Sequence, residues 1–332
     1  MDVKVGGGGP AEAASGARLA DIGEFGLIDR VLLALTETGV LPDPAHGVLV
    51  GPGDDAAVVS APDGRVVVST DVLVEGRHFR RDWSSGYDVG VRAAAANLAD
   101  IAAMGAHPTA LTVGLAAPAD LPVAWILELA RGLAAEAAAA GTVVVGGDMV
   151  RSDTLVISVT ALGRLDGRNP VLRSGARPGD VVVLAGRLGW AAAGLRLLTE
   201  GTAEGPLVEA HRRPRPPYGW GPRLAALGAT AMLDVSDGLL QDAGHLAAAS
   251  RVAIDLRLEA LRTLGGPGIT DVDLLGGGDD HPLLATLPES ALLDLGAGDA
   301  PVVVGLVRQG RGVTVDGHQP EGSGGHDHFP AA

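Results

Sequence analysis

Five short acidic clusters recur along this chain, each setting carboxylates beside glycine or a hydroxyl: Gly53-Asp54-Asp55, Ser69-Thr70-Asp71, Gly146-Gly147-Asp148, Asp234-Val235-Ser236-Asp237 and Gly277-Gly278-Asp279-Asp280. Carboxylates that converge repel one another unless a cation lies among them, and hard oxygen donors suit Mg2+. Magnesium points in turn to phosphate chemistry. Taken singly, each cluster is also ordinary structural chemistry, since Asp beside Gly marks turns and Asp ahead of a helix is an N-cap. The set is what points to a site. Asp234 closes an apolar strand two residues before Ser236, so a hydroxyl and two carboxylates meet at one strand-to-helix turn, where α/β sheets bind ligands. Asp237 either caps the helix that follows or joins that site.

Composition narrows the chemistry further. There are 40 acidic residues against 25 basic ones, for a formal charge of −15, which argues against any general attraction to nucleic acid or anionic membrane. Lys4 is the only lysine, so the chain has no P-loop, no protein-kinase lysine and no Schiff-base lysine. Arginine, backbone amides and metal must then hold any nucleotide phosphates. Arg173, in Val171-Leu172-Arg173-Ser174-Gly175, is either a surface arginine or a bidentate phosphate clamp. Cysteine is absent, which removes disulfides, thiolate metal sites and cysteine nucleophiles and permits an intracellular setting. No apolar run reaches the ~20 residues that span a bilayer, and the start lacks a signal-peptide pattern. A cytoplasmic protein is expected. On spacing alone His78 is a surface or packing histidine, and His107, His211 and His245 carry no functional expectation.

The elements that must position these residues read as a mixed α/β chain of two domains, in keeping with 332 residues. Residues 1–20, with Gly6-Gly7-Gly8-Gly9-Pro10, read as a disordered tail whose removal costs no stability. Residues 21–165 form the first domain. A helix runs from Gly23 through Leu35 and stops near Gly39. Ala56–Val59 and Val66–Ser69, separated by Pro62-Asp63-Gly64, read as a hairpin that brings Asp55 and Asp71 together. Tyr87–Met104 is an alanine-rich helix with Asn97, Asp100 and Met104 on one face, where Asp100 is either exposed, hydrogen-bonded or on a metal. Strands at Thr109–Ala116, Thr142–Val145 and Leu155–Leu162 and a helix at Pro122–Ala139 complete it. Residues 166–180 read as a linker. The second domain, 181–332, has strands at Val181–Ala185, Ala231–Val235, Val252–Leu256, Leu283–Leu287 and Val302–Val307. Its helices lie near Gly189–Leu198, Asp237–Ser250 and Glu289–Leu295. His211–Pro217 reads as a stiff loop, and the chain fades toward disorder after Gly310, apart from Asp327-His328-Phe329.

The order and wording of these motifs resemble the thiamine-monophosphate kinase family. The residues that carry the resemblance are Gly23-Glu24-Phe25, Gly53-Asp54-Asp55-Ala56-Ala57, Ser69-Thr70-Asp71 with Glu75-Gly76-Arg77-His78-Phe79, Asn97 to Ala106, Gly146-Gly147-Asp148, Arg173 to Asp180 and Asp234 to Leu239. The Asn97 and Asp234 blocks are shared with the wider aminoimidazole ribonucleotide synthetase superfamily. The resemblance implies ATP-dependent phosphorylation of thiamine monophosphate to thiamine diphosphate, with several Mg2+ ions and ATP as co-substrate. It implies Asp55, Ser69, Thr70, Asp71, Asp100, Asp148 and Asp234 as metal ligands, with Asp237 on a further ion. Gly147, Asp148, Arg173 and Ser236 correspond to ATP contacts, and His78, Asp279 and His326 to substrate contacts. Asp71, Asp148 and Asp237 are the expected catalytic centre. The implied fold is a two-domain aminoimidazole ribonucleotide synthetase-like fold whose N-terminal sheet forms a barrel in a homodimer.

The chain departs from the family at the substrate end, with Asp279 where Glu is usual and His326 where an aromatic residue is usual. A phosphate acceptor is already largely ionised at neutral pH, its second pKa being ~6, so no general base is required and catalysis reduces to alignment and charge neutralisation. Two other readings remain: an ATP-using synthetase of the same superfamily, and a nucleotide- or Mg2+-binding protein without turnover. Asp71→Asn is expected to abolish turnover while leaving the fold intact, because a neutral amide does not hold metal against neighbouring carboxylates. Single-turnover transfer measured beside thermal melting tests this, and wild-type-like turnover refutes Asp71 as a ligand.

Overall fold

Short β-branched runs alternate with alanine- and leucine-rich stretches, and the chain folds them into two principal sheets with helices packed on them. The computed structural model describes residues 17–37, 47–51, 56–296, 300–320 and 325, with backbone alone for 20 and 22–25. In chain order the first half contains α1 (Leu19–Thr36), β1 (Val48–Val50), β2 (Val58–Val59), β3 (Val67–Val74), α2 (Gly86–Ala103), β4 (His107–Ala117), α3 (Val123–Ala139), β5 (Val144–Arg151) and β6 (Val156–Arg164). The second half contains β7 (Val181–Ala185), α4 (Trp190–Thr199), α5 (Pro206–Arg212), α6 (Trp220–Ala226), β8 (Ala231–Asp234), α7 (Leu239–Ser250) and β9 (Ala253–Leu256). It ends with α8 (Leu258–Arg262), α9 (Asp271–Gly276), β10 (Leu283–Leu287), a 3₁₀ helix at Glu289–Asp294, β11 (Val302–Arg308) and β12 (Gly312–Val315).

The first sheet has the order β3-β6-β4-β5, antiparallel except for the β4–β5 pair. Strand alternation gives it two unlike faces. Leu73, Ile157, Val159, Leu111 and Leu115 are buried under α2 and α3, whereas Val68, Thr70, Val72, Asp148 and Val150 are exposed on the opposite face. Helix α2 approaches α3 through glycine. A Cβ on Gly90 would lie 2.2 Å from the Leu129 carbonyl oxygen, and one on Gly132 would lie 2.1 Å from that of Tyr87. No side chain fits at either contact, so these two glycines set how deeply α2 is seated.

The second sheet, β12-β9-β11-β7-β10-β8, is antiparallel apart from the β12–β9 pair. One face packs on α7, α8 and α9, with Leu239, Leu246, Leu261 and Leu274 fully buried. The other packs on α6 and on Ala102 and Ala103 at the end of α2. Helix α2 thus belongs to the cores of both halves, and both β3 and β8 pack against it.

Several expectations are corrected. β3 does not form a hairpin with Ala56–Val59; β2 pairs with β1, and β3 pairs with β6 over all eight of its residues. The longer ladder satisfies more backbone groups than a two-residue partner offers. Strand β5 continues through Gly146-Gly147-Asp148 to Arg151 because β4 pairs with it that far. β12 forms after Gly310, where an unstructured tail was expected, and α5 takes in His211 and Arg212 of the expected loop. The short helices α6, α8 and α9 had no clear periodic signal. The segment 166–180 has neither helix nor strand, yet it packs against the second half: Val171 and Ala176 are buried, and Asp180 Oδ2 accepts from Thr230 Oγ1 at 2.7 Å.

Residues 17–20 of the expected tail are also part of the fold. Arg18 bridges to Pro122, and the Leu19 amide donates to the Leu121 carbonyl at 3.2 Å. The expectations for residues 1–16, the helix stop near Gly39 and Asp327-His328-Phe329 lie outside the described residues. A chain starting at Asp21 is expected to melt at least a few degrees below one starting at Ala17, because it loses the N-cap Arg18, the first two helical residues and their docking contacts. Equal melting temperatures by calorimetry would show that this segment adds nothing.

Candidate functional site

The site is assembled from α2 outward. Ser69 and Asp71 alternate on β3 toward α2, and the helix meets both residues. Asp100 Oδ2 accepts from Ser69 Oγ at 2.6 Å, and Asn97 Oδ1 accepts from the Asp71 amide at 2.9 Å. Asn97 is itself fixed by donating to the Ala93 carbonyl at 2.9 Å. The expected face of Asn97 and Asp100 therefore reads directly onto the strand that carries Asp71.

From the second half come Asp234 at the end of β8, Ser236 and Asp237 in the following turn, and the loop 277–281. Asp234 Oδ2 lies 3.0 Å from His281 Nδ1, with both side chains buried. The loop crosses the turn closely: a Cβ on Gly278 would lie 2.0 Å from the Ser236 carbonyl oxygen, and the Asp279 amide donates to that same oxygen at 3.0 Å. Asp279 and His281 hold left-handed backbone at φ 66° and 52°, a conformation that non-glycine residues keep only where neighbours over-determine it.

Electrostatics ties these groups into one centre. Burial pushes the Asp71 carboxyl up, Asp234 and Asp237 push it further, and His281 and His78 oppose them. Asp100 is pushed up to about 7 by burial and by Asp234 and Asp71, against the Ser69 hydrogen bond. Burial works against protonation of His281, but Asp234, Asp279 and Asp100 around it raise its pKa. Carboxylates from both halves are thus close enough to disfavour one another's charge. Oxygen-only donors of this kind fit Mg2+, although among the described residues no three Asp, Glu or His side chains already close into a metal-binding group.

The helix N-terminus beside this centre is already filled. Asp242 Oδ2 accepts from the amides of Ser236, Asp237 and Gly238 at 3.1, 3.0 and 3.1 Å. Asp242 therefore takes the capping role, and the half-buried Asp237 carboxylate lies within electrostatic reach of Asp71. Burial, partly offset by these amides, pushes Asp242 up to about 6.

Other expected residues stand apart. The Thr70 side chain is on the open face, 2.8 Å from Thr160 Oγ1, so it faces away from the side of the sheet on which Asp71 and Asp100 lie. Gly147 and Asp148 are exposed on β5, at the opposite sheet edge from β3, and Asp148 Oδ1 accepts from the Met149 amide at 2.9 Å. Arg173 is exposed, and its carbonyl accepts from Ser250 Oγ at 2.9 Å. His78 Nδ1 accepts from the Val74 amide at 3.0 Å and lies within electrostatic reach of Asp71. Asp279 Oδ2 lies 2.6 Å from Arg92 Nη2. Asp55 and His326 lie outside the described residues.

Sequence reading passed over Arg92 and Asp242, gave His211 no functional expectation, and named Asp280 only as a member of its acidic cluster. Arg92 had a usable signal, being a lone charge in a run of small apolar residues from Val89 to Ala96. Asp280 accepts from the Ala191 amide at 3.0 Å and is pushed up to about 7 chiefly by burial. Its function as a cap for α4 depends on a contact 89 residues away, which no local spacing reveals.

Residues 53–165 match the family model of AIR synthase related protein, N-terminal domain. A thiamine-monophosphate kinase of Mycobacterium tuberculosis is 49% identical over 277 residues, which covers 80% of this chain and 81% of that protein. The crystal structure of a thiamine-monophosphate kinase from Stenotrophomonas maltophilia K279a has a TM-score of 0.73 at 36% identity, covering 90% of this chain and 98% of that one. The structure of AaThiL complexed with AMPPCP and TMP has a TM-score of 0.71 at 32% identity, covering 94% and 99%.

The raised Asp100 carboxyl has a stability consequence. Its folded pKa of about 7 lies above its unfolded value, so the metal-free protein loses stability as pH rises from about 4 to about 7. At pH 8 without metal, Asp100→Asn is expected to melt several degrees higher than the unaltered chain, and an upward shift with Mg2+ is expected for the unaltered chain alone. Melting curves with and without Mg2+ test both arms.

Proposed function

This chain belongs to the thiamine-monophosphate kinase family, and we propose that it transfers the terminal phosphoryl group of ATP to the phosphate of thiamine monophosphate. The observation that carries this reading is the meeting of Asp71 and Asp100 from one half with Asp234 and Asp237 from the other, each close enough to perturb another's charge. Two anionic substrates approach a strongly negative protein only with cations between them. Mg2+ held by Asp71, Asp100, Asp234 and Asp237, with Ser69 and Asp55 proposed as further ligands, would supply charge neutralisation and alignment for an in-line transfer. The protein's own part is positional: Asn97 and Ser69 lock β3 to α2, Asp242 clears the turn at Asp237, and the 277–281 loop is held against Ser236. Arg173, Ser236 and Gly147 are proposed ATP contacts, and His78, Asp279 and His326 acceptor contacts.

The reading extends to a homodimer. The open face of the first sheet exposes Val68, Val72 and Val150, and its two edge strands are β3 and β5. Within one chain Thr70 and Asp148 share that face but lie at opposite edges. Two sheets closing into one barrel, with β5 of each copy beside β3 of the other, would bring Asp148 of the second copy to the enclosed side of Thr70, one residue from Asp71. This supports Thr70, Gly147 and Asp148 as members of a site shared between copies. Among the described residues no helix is long and apolar enough to cross a membrane, and we place the reaction in the cytoplasm.

A coupled assay with ATP and thiamine monophosphate, with and without Mg2+, tests the activity. Metal-dependent formation of thiamine diphosphate is expected, and ATP binding without transfer would overturn the reading. Asp71→Asn and Asp148→Asn are each expected to be inactive alone. Dissociated and reassociated together, they should recover roughly a quarter of wild-type turnover, since half of the two-fold dimers are mixed and each mixed dimer has one intact site. No recovery in demonstrated mixed dimers would place Asp148 in its own chain's site.

A further inference from the structure

One charged pair joins the acceptor loop to the helix that carries the metal-facing carboxylate. Arg92 lies on α2 eight residues before Asp100. Its Nη2 donates to Asp279 Oδ2 at 2.6 Å, and its Nη1 lies 3.2 Å from His211 Nε2 and 3.3 Å from the His211 carbonyl. His211 Nδ1 lies 3.2 Å from the Ala191 carbonyl. A carbonyl only accepts, so Nδ1 carries the proton, and Nε2 presents its lone pair to the guanidinium. Burial first and Arg92 second hold His211 down at about 4, so the ring stays neutral at working pH and serves as a fixed acceptor. Arg92 is thereby clamped from one side and spends its remaining fork on Asp279.

The two partners differ in exposure: the Arg92 side chain is 10% exposed and that of Asp279 is 44% exposed. The pair is therefore anchored inside the protein and open at its carboxylate. Among the described residues, Asp279 Oδ1 takes no hydrogen bond and is left for a ligand. Although burial opposes it, Arg92, His281 and His211 together hold the Asp279 carboxyl below its usual range. An ionised oxygen there suits an N–H donor or a cationic heterocycle. Eight residues at 1.5 Å rise place Arg92 about 12 Å along α2 from Asp100. That is on the scale of a small acceptor with its phosphate at one end and its recognised ring at the other.

We propose that Arg92 is a positioning residue for acceptor recognition: by holding Asp279 to α2 at a set spacing from Asp100, it fixes the distance between the recognised end of the acceptor and the phosphate that receives the new group. This rests on the kinase reading above. Arg92 acts through Asp279, touches neither ATP nor the transferred group, and gives the shorter Asp279 side chain a defined direction. The left-handed backbone at Asp279 is held in part by the same pair, so loosening Arg92 releases the loop as well as the carboxylate.

The test is steady-state kinetics with Mg2+ on Arg92→Gln, Arg92→Lys, Asp279→Asn and the double variant Arg92→Gln with Asp279→Asn. Two acceptors are used: thiamine monophosphate and the phosphorylated thiazole fragment that lacks the pyrimidine. Arg92→Gln is expected to raise KM for thiamine monophosphate about ten-fold or more while KM for ATP stays within about two-fold, and to narrow the discrimination between the two acceptors. Arg92→Lys keeps the charge without the fork and should recover part of the loss. The double variant should be no worse than the worse single one, since both remove one unit. Equal rises in both KM values, additive losses, or unchanged discrimination would overturn the proposal. If Arg92→Gln melts below the assay temperature, Arg92→Lys and Asp279→Asn decide it by the same split between acceptor and ATP. An unaltered chain with no transfer to thiamine monophosphate refutes the kinase reading itself, whereas an active chain whose Arg92 variants keep their acceptor KM refutes only the positioning role.

Discussion

Like charges repel more strongly inside a protein than at its surface, because the surroundings screen them less. Asp71, Asp100, Asp234 and Asp237 are held under that constraint at the junction of the two halves, where burial and mutual repulsion together raise the carboxyls of Asp71 and Asp100. A fold that only needed stability would place apolar residues there. On the proposed reading the arrangement serves to bind cations, which would allow two phosphates to meet beside a chain of net charge −15.

Helix α2 makes the convergence possible. Its small residues let it be covered on most sides, with Ala94, Ala95, Leu98 and Ala99 fully buried, and the glycine contacts with α3 seat it under the first sheet. Because Ala102 and Ala103 also enter the core of the second half, the same rigid rod touches both sheets. Arg92, Asn97 and Asp100 ride on it at fixed spacing. A loop carrying the same three side chains would have to order them separately, at a cost in conformational entropy for each.

The 278–281 loop shows how the second half responds. Each of its three charged side chains is committed to a different element: Asp279 to Arg92 of α2, Asp280 to the first turn of α4, and His281 to Asp234 of β8. These attachments hold two left-handed non-glycine residues in place and press Gly278 against Ser236. One oxygen of Asp280 is buried without a partner, and the raised carboxyl is the consequence, since a protonated oxygen is less costly to bury than a charged one.

Acidic motifs, an oxygen-donor chemistry, the near-absence of lysine and the absence of cysteine were legible in the residues, because they depend only on side-chain type and short spacing. The core strands Val181–Ala185 and Leu283–Leu287 were equally legible, since each is a continuous apolar run of strand length. The pairing of β3 with β6 in place of the nearer Ala56–Val59 was not, because the choice depends on which distant partner offers the longer ladder. Nor could local spacing separate Asp71, which faces α2, from Thr70, which faces away, until the covered side of the sheet was known. The acidic motifs and their oxygen-donor character are properties of the sequence alone. Tertiary structure decided which of those carboxylates meet, that Asp242 rather than Asp237 caps α7, and that Arg92 reaches Asp279, because each depends on the folding back of elements tens to hundreds of residues apart or on the exact turn of a helix end.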